Sequence, residues 1–358
     1  MITLPLKKSN FIVRPIHRDE WEFHWTSISG SNLIQSWEFG EAKSFAEKWH
    51  PIRLLTETIC GQPIALTQIL TRPFPYIGYI ARVNRGPLLL DIKLDPSSLD
   101  ELYLLVLSCI LHEAKMRRWN FLSLAPELSS NDSNKNKLNL LNLYSTHHNP
   151  WASTRLSLLQ NQEALLAALN GKWRNLLRKA QKSKLQIKQL SKTNDSTKIL
   201  IQNYNQLKKL KGFTGVSDSL LNQLSLQVGP KWCFTTFAAY TTATPFQSSE
   251  LVGLLVSVVH GKTATYLIGT TTKSGRKLNA NYLMLWDAIL FAKSKGCSYY
   301  DLGGLNQNTA SGIAHFKRGI NGKPYELIGE YTYSPHFIIN SFLTIKKYFV
   351  EIYRLFMR

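Results

Sequence analysis

The sequence predicts a mixed α/β fold made of two copies of one helix-and-strand module. The chain has 358 residues, enough for two ordinary domains. Hydrophobic residues make up 44% of the sequence and aromatic residues 11%, so the chain can bury a sizeable core. Strand-like and helix-like segments alternate through both halves, and one helix–strand pair recurs. Together these observations predict a duplicated α/β architecture.

The first half follows a regular order of predicted elements. Apolar and alternating runs predict strands, and longer amphipathic runs predict helices. The expected elements are a strand at Phe11–Ile16, a helix at Asn32–Trp49, strands at Arg53–Thr58, Ile64–Leu70 and Tyr76–Ala81, a strand ending at Asp91, a helix at Asp100–Arg118 and a strand at Phe121–Leu124. The Asn-, Ser- and Lys-rich segment Ser129–Asn142 is predicted to be a surface loop.

The second half repeats the pattern. The expected elements are a basic helix at Ala164–Lys184, a strand at Leu185–Leu190, helices at Lys198–Lys211 and Ser217–Leu226, and strands at Trp232–Tyr240, Leu251–His260 and Thr263–Gly269. An amphipathic helix follows, which Gly296 ends. After it we expect a strand at Ser298–Leu302, a turn at Gly303-Gly304 and a polar loop that leads to Phe316-Lys317. Strand ends followed by glycine turns are common positions for reacting groups in α/β folds.

One helix–strand pair recurs at matching spacing. Ile110–Lys115 is followed nine residues after Ala114 by Ser-Leu-Ala, and Ile289–Lys293 is followed nine residues after Ala292 by Asp-Leu-Gly. The first copy lacks the aspartate and the glycines. We therefore expect the second copy to carry any chemistry.

The predicted domains are residues 1–152 and 153–334, followed by a helix at 335–358. Apolar residues recur in that helix at alternating steps of four and three, from Ile338 to Phe356. Basic residues, including Lys346 and Lys347, accompany them. Two interpretations stay open: the helix packs on the first domain, or it lies on an anionic membrane.

The composition and net charge limit the kinds of partner and the cellular location that we expect for this protein. The formal net charge is +20, which favours phosphate-rich partners such as nucleic acid, anionic lipid or diphosphate-bearing substrates. The four cysteines form no CxxC pair, so we expect no disulfide framework and no metal site. The N-terminus lacks the features of a signal peptide, and the apolar runs are about half the ~20 residues of a membrane span. A cytoplasmic protein, at most peripheral to a membrane, is expected.

The positive charge is concentrated in one predicted helix. No acidic residue lies between Glu163 and Asp195, while Arg174, Arg178 and Lys182 stack at i, i+4 spacing. Trp173, Leu176, Leu177 and Ala180 make the opposite, apolar stripe. The helix face is either a solvated surface or a phosphate-binding one. The unrelieved like charge favours the second.

Four motifs, taken together, resemble the Fem-type aminoacyltransferases. The motifs are Q-S-W-x-x-G-x-x-K at Gln35–Lys43, R-G-P…D at Arg85–Asp91, K-W-R-N-x-x-R-K-A at Lys172–Ala180 and D-L-G-G…F-K at Asp301–Lys317. Proteins of this family build peptidoglycan cross-bridges with amino acids taken from charged tRNA. The resemblance implies two tandem acetyltransferase-like (GNAT-like) domains. This sequence shows no long coiled-coil arm of the kind that some members insert.

The resemblance also implies roles for individual residues. Lys43 and Arg174, with Arg178 one turn away, are expected to bind the acceptor's diphosphate across a cleft between the domains. Tyr79, Arg85 and Asp91 are expected to line the same groove, although Gly86 and Pro87 between them are equally explained as a rigid turn.

The second domain is expected to carry the reaction. A lysine at Lys317 can stabilise the oxyanion that forms when an amine attacks an ester carbonyl. Asp301 is expected to anchor the strand end or Lys317, beside Gly303 and Gly304, rather than to act as a base. Arg318 is expected to contact the donor's phosphates.

The segment Lys273–Asn279 stands where acetyltransferase folds cradle a pyrophosphate. It is predicted to be a turn, and its donor-binding residues are Lys273, Arg276, Lys277 and Asn279. A tRNA end and coenzyme A would suit it equally.

The resulting hypothesis is an aminoacyltransferase that moves an amino acid from aminoacyl-tRNA to an amine of a peptidoglycan precursor, either a UDP-linked muropeptide or lipid II. It needs no cofactor. The first alternative is an acyl-CoA-dependent N-acyltransferase that acts on a cell-surface sugar or peptide. The second is a non-catalytic RNA- or lipid-binding protein that kept the fold.

Overall fold

The structure is a computed structural model, and it describes residues 10–75, 78–146, 150–190, 194–242, 248–307 and 309–334. The predicted C-terminal helix at residues 335–358 lies outside the described residues, as does the start of the strand predicted at Tyr76. In the part of the chain that the structure describes, no helix combines the length and the apolar character needed to cross a membrane.

The first 146 residues contain seven strands and four α-helices among the described segments. They are β1 (Phe11–Pro15), α1 (Arg18–Trp25), α2 (Trp37–Glu47), β2 (His50–Thr58), β3 (Pro63–Phe74), β4 (Gly78–Asn84), β5 (Leu88–Leu89), α3 (Pro96–Met116), β6 (Trp119–Ala125), α4 (Asp132–Leu140) and β7 (Tyr144–Ser145). A 3₁₀ turn at Leu33–Gln35 precedes α2.

The remainder of the described chain adds eight strands and seven α-helices. They are β8 (Ala152–Ser157), α5 (Gln162–Ala168), α6 (Gly171–Lys182), β9 (Leu185–Leu190), α7 (Asn194–Lys211), α8 (Asp218–Leu226), β10 (Trp232–Thr241), β11 (Leu251–His260), β12 (Thr263–Thr271), α9 (Lys273–Lys277), α10 (Ala280–Ser294), β13 (Tyr299–Asp301), α11 (Ser311–Arg318), β14 (Lys323–Glu326) and β15 (Tyr331–Tyr333).

These strands form two sheets with the same topology. The first has the order β1-β2-β3-β4-β6-β15-β7, with β5 beside β3, and the second has the order β9-β10-β11-β12-β13-β8-β14. Each sheet has one parallel pair at the same place, β4 with β6 and β12 with β13, and the other neighbours are antiparallel. The predicted α/β fold and its duplication are confirmed.

Each sheet includes one strand that comes directly after the strands of the other sheet along the chain. Strand β8 comes directly after the first module but pairs with β13, and β15 comes after β14 but pairs with β6. The two strands occupy equivalent positions. A strand pairs with whichever edge completes its backbone hydrogen bonds, whatever the distance along the chain.

The chain forms two compact units, and each unit is built from segments that are not continuous in sequence. Unit 1 holds the described residues of Met1–Ile28, Lys43–Pro150 and Leu327–Arg358, and unit 2 holds those of Ser29–Ala42 and Trp151–Glu326. Within unit 2, the Ser31 hydroxyl donates to the His260 carbonyl over 2.9 Å. The units therefore differ from a division at residues 152 and 334 by the segments 29–42, 151–152 and 327–334.

One helix packs on the parallel pair of each sheet. In unit 1, α3 begins after Asp95, whose carboxylate caps it, and buries Leu107 and Ile110 against the sheet. In unit 2, α10 buries Leu285 and Ile289 in the same way. Gly296, with φ 77°, follows α10 as expected for a C-terminal glycine.

Several local expectations were wrong. Segment Ser129–Asn142 is not a loop, because Asn131 caps helix α4 and Leu138 is buried. The long basic helix is two helices, since Asn170 caps α6 after α5 has ended. The strand predicted to reach Asp91 is the two-residue β5.

The polar loop predicted before Lys317 is also wrong in its last part. Residues Ser311–Arg318 form helix α11, which carries Phe316 and Lys317. The turn predicted at Lys273–Lys277 is the one-turn helix α9, which Thr272 caps. Both segments contain glycine and are at most eight residues long, so a window of about 11 to 18 residues does not mark them as helical.

Candidate functional site

The candidate site is built at the C-terminal end of β13. This strand lies inside the second sheet, between β12 and β8. Its last residue, Asp301, is buried, and so is Leu302. The chain then turns sharply through Gly303 and Gly304, at φ 58° and 26°. Positive φ at two successive positions is a conformation that glycine adopts with little strain.

The Asp301 carboxylate is held by hydrogen bonds on both oxygens. Oδ1 accepts from the Ser153 hydroxyl over 2.5 Å and from the Gly303 amide over 2.9 Å, while Oδ2 accepts from the Tyr325 hydroxyl over 2.5 Å. The Arg155 guanidinium lies 3.9 Å from Oδ2. Because its acceptor positions are occupied, the carboxylate fixes the glycine turn rather than facing an open site.

Lys317 reaches that turn from α11. Its ammonium donates to the carbonyl oxygens of Gly303, over 2.7 Å, and Gly304, over 3.2 Å. It also lies 5.2 Å from the centre of the Tyr266 ring. An ammonium has three N–H donors, so one remains for a further acceptor.

Lys317 is buried, with 7% of its surface exposed. Burial lowers the pKa of its ammonium to about 8, and the negative charge of Asp301 opposes that shift. A lysine with this pKa is still mostly protonated at pH 7. The site therefore holds a cation that has acceptors for two of its three donors among the described residues.

Aromatic packing fixes α11 against its neighbours. The rings of Trp173 and Phe316 stack, with centres 6.1 Å apart, and Tyr282 meets both edge-on. The Trp173 indole donates to the Phe316 carbonyl over 3.0 Å. Helices α6, α10 and α11 thus meet directly beside Lys317.

The same contact places the basic helix α6 next to α11. Trp173, Leu177 and Ala180 are buried, and Leu176 is half-buried. Arg178 and Lys182 are exposed, and Arg174 is half-exposed with its guanidinium donating to the Ala167 carbonyl over 2.7 Å. Among the residues described, none of the three cations has an ion-pair partner.

An open groove of about 520 Å³ lies along α11. Its lining is formed by Asn306, Gln307, Thr309, Ser311, Ala314, His315 and Arg318. All of these except Ala314 carry a hydrogen-bonding side chain. The groove suits a polar ligand, and Arg318 adds a positive charge.

Helix α9 presents the predicted donor-binding cations on the surface. Lys273, Arg276 and Lys277 are exposed, and Arg276 folds back to the Thr271 carbonyl over 2.8 Å. Asn279 follows in a left-handed conformation with φ 58°. Within the described segments, no hydrogen bond joins these four residues to Lys317.

In unit 1 the predicted acceptor residues are spread over several elements. Lys43 lies on α2, and its ammonium pairs with Glu47 over 2.5 Å. Burial lowers its pKa, and the charge of Glu47 opposes the shift. Tyr79 lies on β4 and is exposed.

Arg85 and Asp91 flank the cis Gly86–Pro87 bond in different ways. Arg85 is buried, and its guanidinium makes two hydrogen bonds to Glu127, of 2.9 and 2.7 Å. Asp91 is exposed. Arg85 therefore holds the loop in place, and a substrate-binding role for either residue stays a prediction.

The sequence did not point to three side chains around the site. Ser153 and Tyr325 hold Asp301, and Tyr266 lies under Lys317. They come from β8, β14 and β12, which become neighbours only when the sheet forms.

Comparisons with known proteins agree with this architecture. The FemAB family model matches residues 242–346. No curated protein gives a significant sequence match.

Solved structures cover nearly the whole chain. A crystal structure of FemX superposes with a TM-score of 0.73 at 15% identity, covering 90% of this chain and 97% of FemX. A tandem GNAT protein from the clavulanic acid biosynthesis pathway gives 0.54 at 10% identity, covering 90% of this chain and 98% of that one. L-PGS from Bacillus licheniformis gives 0.50 at 10% identity, covering 92% and 96%. These likenesses confirm the expected tandem GNAT-like fold.

The matched segment contains Asp301, the glycine turn and Lys317. The family match over residues 242–346 and the superposition on FemX are this chain's two likenesses to Fem-type proteins, the first in sequence and the second in fold.

Proposed function

We propose that the protein is an aminoacyltransferase that moves an amino acid from aminoacyl-tRNA to an amine of a peptidoglycan precursor. In this proposal it contributes to interpeptide bridge formation. The acceptor is a UDP-linked muropeptide or lipid II. The observation that carries the proposal is Lys317, a buried cation held by two carbonyls with one donor free.

The proposed reaction needs such a cation. The acceptor amine attacks the ester carbonyl of the donor, and the carbonyl oxygen becomes an oxyanion. The free N–H of Lys317 would stabilise that oxyanion in a site from which water is largely excluded. The C–O bond of the ester then breaks. The departing ribose oxygen takes the proton from the attacking nitrogen, so no general base is assigned.

The donor is proposed to lie along α11. Arg318 would pair with its phosphates, and the polar groove beside it would take the terminal ribose and base. The exposed cations of α9, Lys273, Arg276 and Lys277, would contact phosphates further along the strand. Asn279 would contribute a polar contact at the start of α10.

The acceptor is proposed to bind through its diphosphate. Arg174 and Arg178 on α6 would supply positive charge for it. Lys43 on α2 is a separate candidate for contact with the acceptor. Both arginines lie on α6, which packs beside Lys317 through Trp173. Tyr79 and Asp91 in unit 1 would contact the remainder of the precursor.

The alternative is an acyl-CoA-dependent N-acyltransferase acting on a cell-surface sugar or peptide. The observation in its favour is α9, a basic segment directly before α10 that would contact a pyrophosphate. A non-catalytic RNA- or lipid-binding protein is the second alternative. It predicts that Lys317 is dispensable and that the α6 cations are essential.

A transfer assay separates these functions. Purified protein would be incubated with a UDP-linked muropeptide and either tRNA charged with labelled amino acids or labelled acetyl-CoA. A parallel reaction would contain lipid II. Label on either acceptor only with charged tRNA supports the proposal. Label only from acetyl-CoA overturns it in favour of the acyl-CoA alternative, and no label from either donor on either acceptor overturns both transfer functions.

A further inference from the structure

A second cavity lies in unit 2 between helix α10 and the edge of the sheet. It has a volume of about 300 Å³ and opens to solvent. Its lining is formed by Ile187, Gln189, Phe237, Asp287, Leu290, Phe291 and Ser294. None of these residues takes part in the proposed transfer site.

Asp287 places a carboxylate beside aromatic and aliphatic side chains, in a wall that also carries the polar side chains of Gln189 and Ser294. It lies on the same face of α10 as Leu290 and Phe291, at i, i+3, i+4 spacing. The Phe237 and Phe291 rings meet edge-on with centres 5.7 Å apart. Asp287 has no hydrogen bond or ion pair to any residue that the structure describes.

The pairing of β9 with β10 explains the shape of the cavity. Gln189 lies opposite Phe237, and Ile187 lies opposite Ala239, whose small side chain leaves space. Side chains alternate between the faces of a strand, so Lys188 points away from the cavity. Its ammonium lies 5.5 Å from the centre of the Tyr240 ring.

Among the residues that the structure describes, no charged group pairs with the Asp287 carboxylate. The ammonium of Lys293 donates to the Leu158 carbonyl over 2.8 Å. The charged or titratable residues of the elements packed on α10 are Lys188, Cys233, Tyr240, His260, Tyr266, Lys273, Arg276, Lys277 and the α6 cations Lys172, Arg174, Arg178, Lys179 and Lys182. Burial alone raises the pKa of Asp287 to about 6, with no contribution from any of them.

A lysine ammonium lies over one of the aromatic rings that line the cavity. The Lys295 ammonium lies 5.2 Å from the centre of the Phe291 ring. Aromatic faces attract cations through their quadrupole. The cavity thus offers an uncompensated carboxylate, aromatic rings and aliphatic surface within a small volume.

We propose that this cavity binds a small organic ammonium ion, with the cationic head on Asp287 and an apolar body against Phe237, Leu290 and Phe291. The ammonium compensates for the hydration that the carboxylate loses on burial, and the apolar body displaces water from the walls. Since one water occupies roughly 30 Å³ of liquid, the volume suits a ligand of about ten non-hydrogen atoms.

The test uses the full chain and 2-phenylethylamine, with 2-phenylethanol as the uncharged analogue. Isothermal titration calorimetry at pH 7 is expected to give a dissociation constant on the order of 1 mM for the amine. The alcohol should bind at least about tenfold more weakly. Because the amine stays protonated, its affinity should rise roughly tenfold between pH 5 and pH 7 as Asp287 ionises.

Two variants locate the site. Asp287→Asn should weaken amine binding about tenfold and remove its pH dependence. Asp195→Asn, which removes an equal charge from an exposed position on α7, should leave both unchanged. No amine binding at 20 mM, equal binding of the alcohol, or an unaltered Asp287→Asn variant would each overturn the proposal.

Folding does not confound the result. Asn has nearly the same volume as Asp and carries no charge, so Asp287→Asn should fold and melt at a higher temperature than the wild type at pH 8. The experiment does not involve tRNA or peptidoglycan precursors. Its outcome is therefore independent of the proposed transfer function.

Discussion

The ammonium of Lys317 donates to the carbonyl oxygen of Gly303 over 2.7 Å. The amide of the same glycine donates to Asp301, so one residue connects a cation to a buried carboxylate without direct contact between them. This arrangement keeps the lysine charged although it is buried. Within the described part of the chain it also leaves one of the lysine's three donors without an acceptor, which is what the proposed role in transfer requires.

The first prediction concerns the titration of Lys317. With lysines labelled at the ε carbon, the NMR signal that disappears in Lys317→Met should shift with a midpoint near pH 8. Signals of exposed lysines should titrate near their usual pKa of about 10.4. A Lys317 midpoint at the usual value would contradict the burial argument.

The same pKa gives a prediction for stability. The folded state lowers the pKa of Lys317, so between pH 8 and about 10.4 the unfolded chain binds more protons than the folded one. Lys317 therefore contributes an increase in the free energy of unfolding as pH rises through this window. Denaturant titrations should show that increase in the wild type and a smaller one in Lys317→Met.

A third prediction tests how Asp301 holds the glycine turn. Tyr325→Phe removes a hydrogen bond to a buried carboxylate and should lower the free energy of unfolding by about 2 kcal/mol. Asp301→Asn should cost more, about 3 kcal/mol, because an amide cannot accept at both positions. Tyr299→Phe, on the same strand as Asp301, is the control and should change stability little. Equal effects of the two tyrosine variants in chemical denaturation would argue against the network.

A fourth prediction concerns the close packing of α9. A Cβ on Gly275 would lie 2.2 Å from the Val252 carbonyl oxygen, and backbone cannot move aside easily. Gly275→Ala should therefore lower the free energy of unfolding by about 2 kcal/mol. Gly312→Ala, on α11 with no atom within 4 Å of the added Cβ, should raise it by about 0.5 to 1 kcal/mol. A neutral Gly275→Ala would show that α9 does not pack as described.

A fifth prediction concerns β15, which completes the first sheet from near the end of the described chain. A chain ending at residue 326 lacks β15, which pairs with β6 and β7. Hydrogen exchange in β4 and β6 should then become fast, while β10 to β12 keep their protection. A chain ending at residue 334 retains β15, so the comparison of the two chains isolates residues 327–334. Equal protection of β6 in both would contradict the pairing.

Local patterns in the sequence could predict the main helices and the duplicated module. Apolar periodicity indicated α3 and α10, and the matched spacing after Ala114 and Ala292 indicated a duplicated module, as the sheets confirm. The strand exchange could not be predicted in this way. Strands β8 and β15 are short, and their partners lie far away along the chain.

The site could be predicted only where its residues lie close together in the sequence. Asp301, Gly303 and Lys317 were expected from one continuous motif, and the structure brings them together. Ser153, Tyr266 and Tyr325 contact them from three other strands, so no local spacing connects them. The helix at Ser311–Arg318 was missed because its eight residues bury only Ala314, Phe316 and Lys317.

The most direct test is the single-turnover rate of amino-acid transfer from charged tRNA to a UDP-linked muropeptide or lipid II. It would compare the wild type with Lys317→Met, which keeps the aliphatic volume, and with Lys323→Met, which removes an exposed lysine of β14. We predict a loss of about 10²-fold or more in Lys317→Met at unchanged tRNA affinity, and no loss in Lys323→Met. Transfer at the wild-type rate by Lys317→Met would contradict the central role of this lysine.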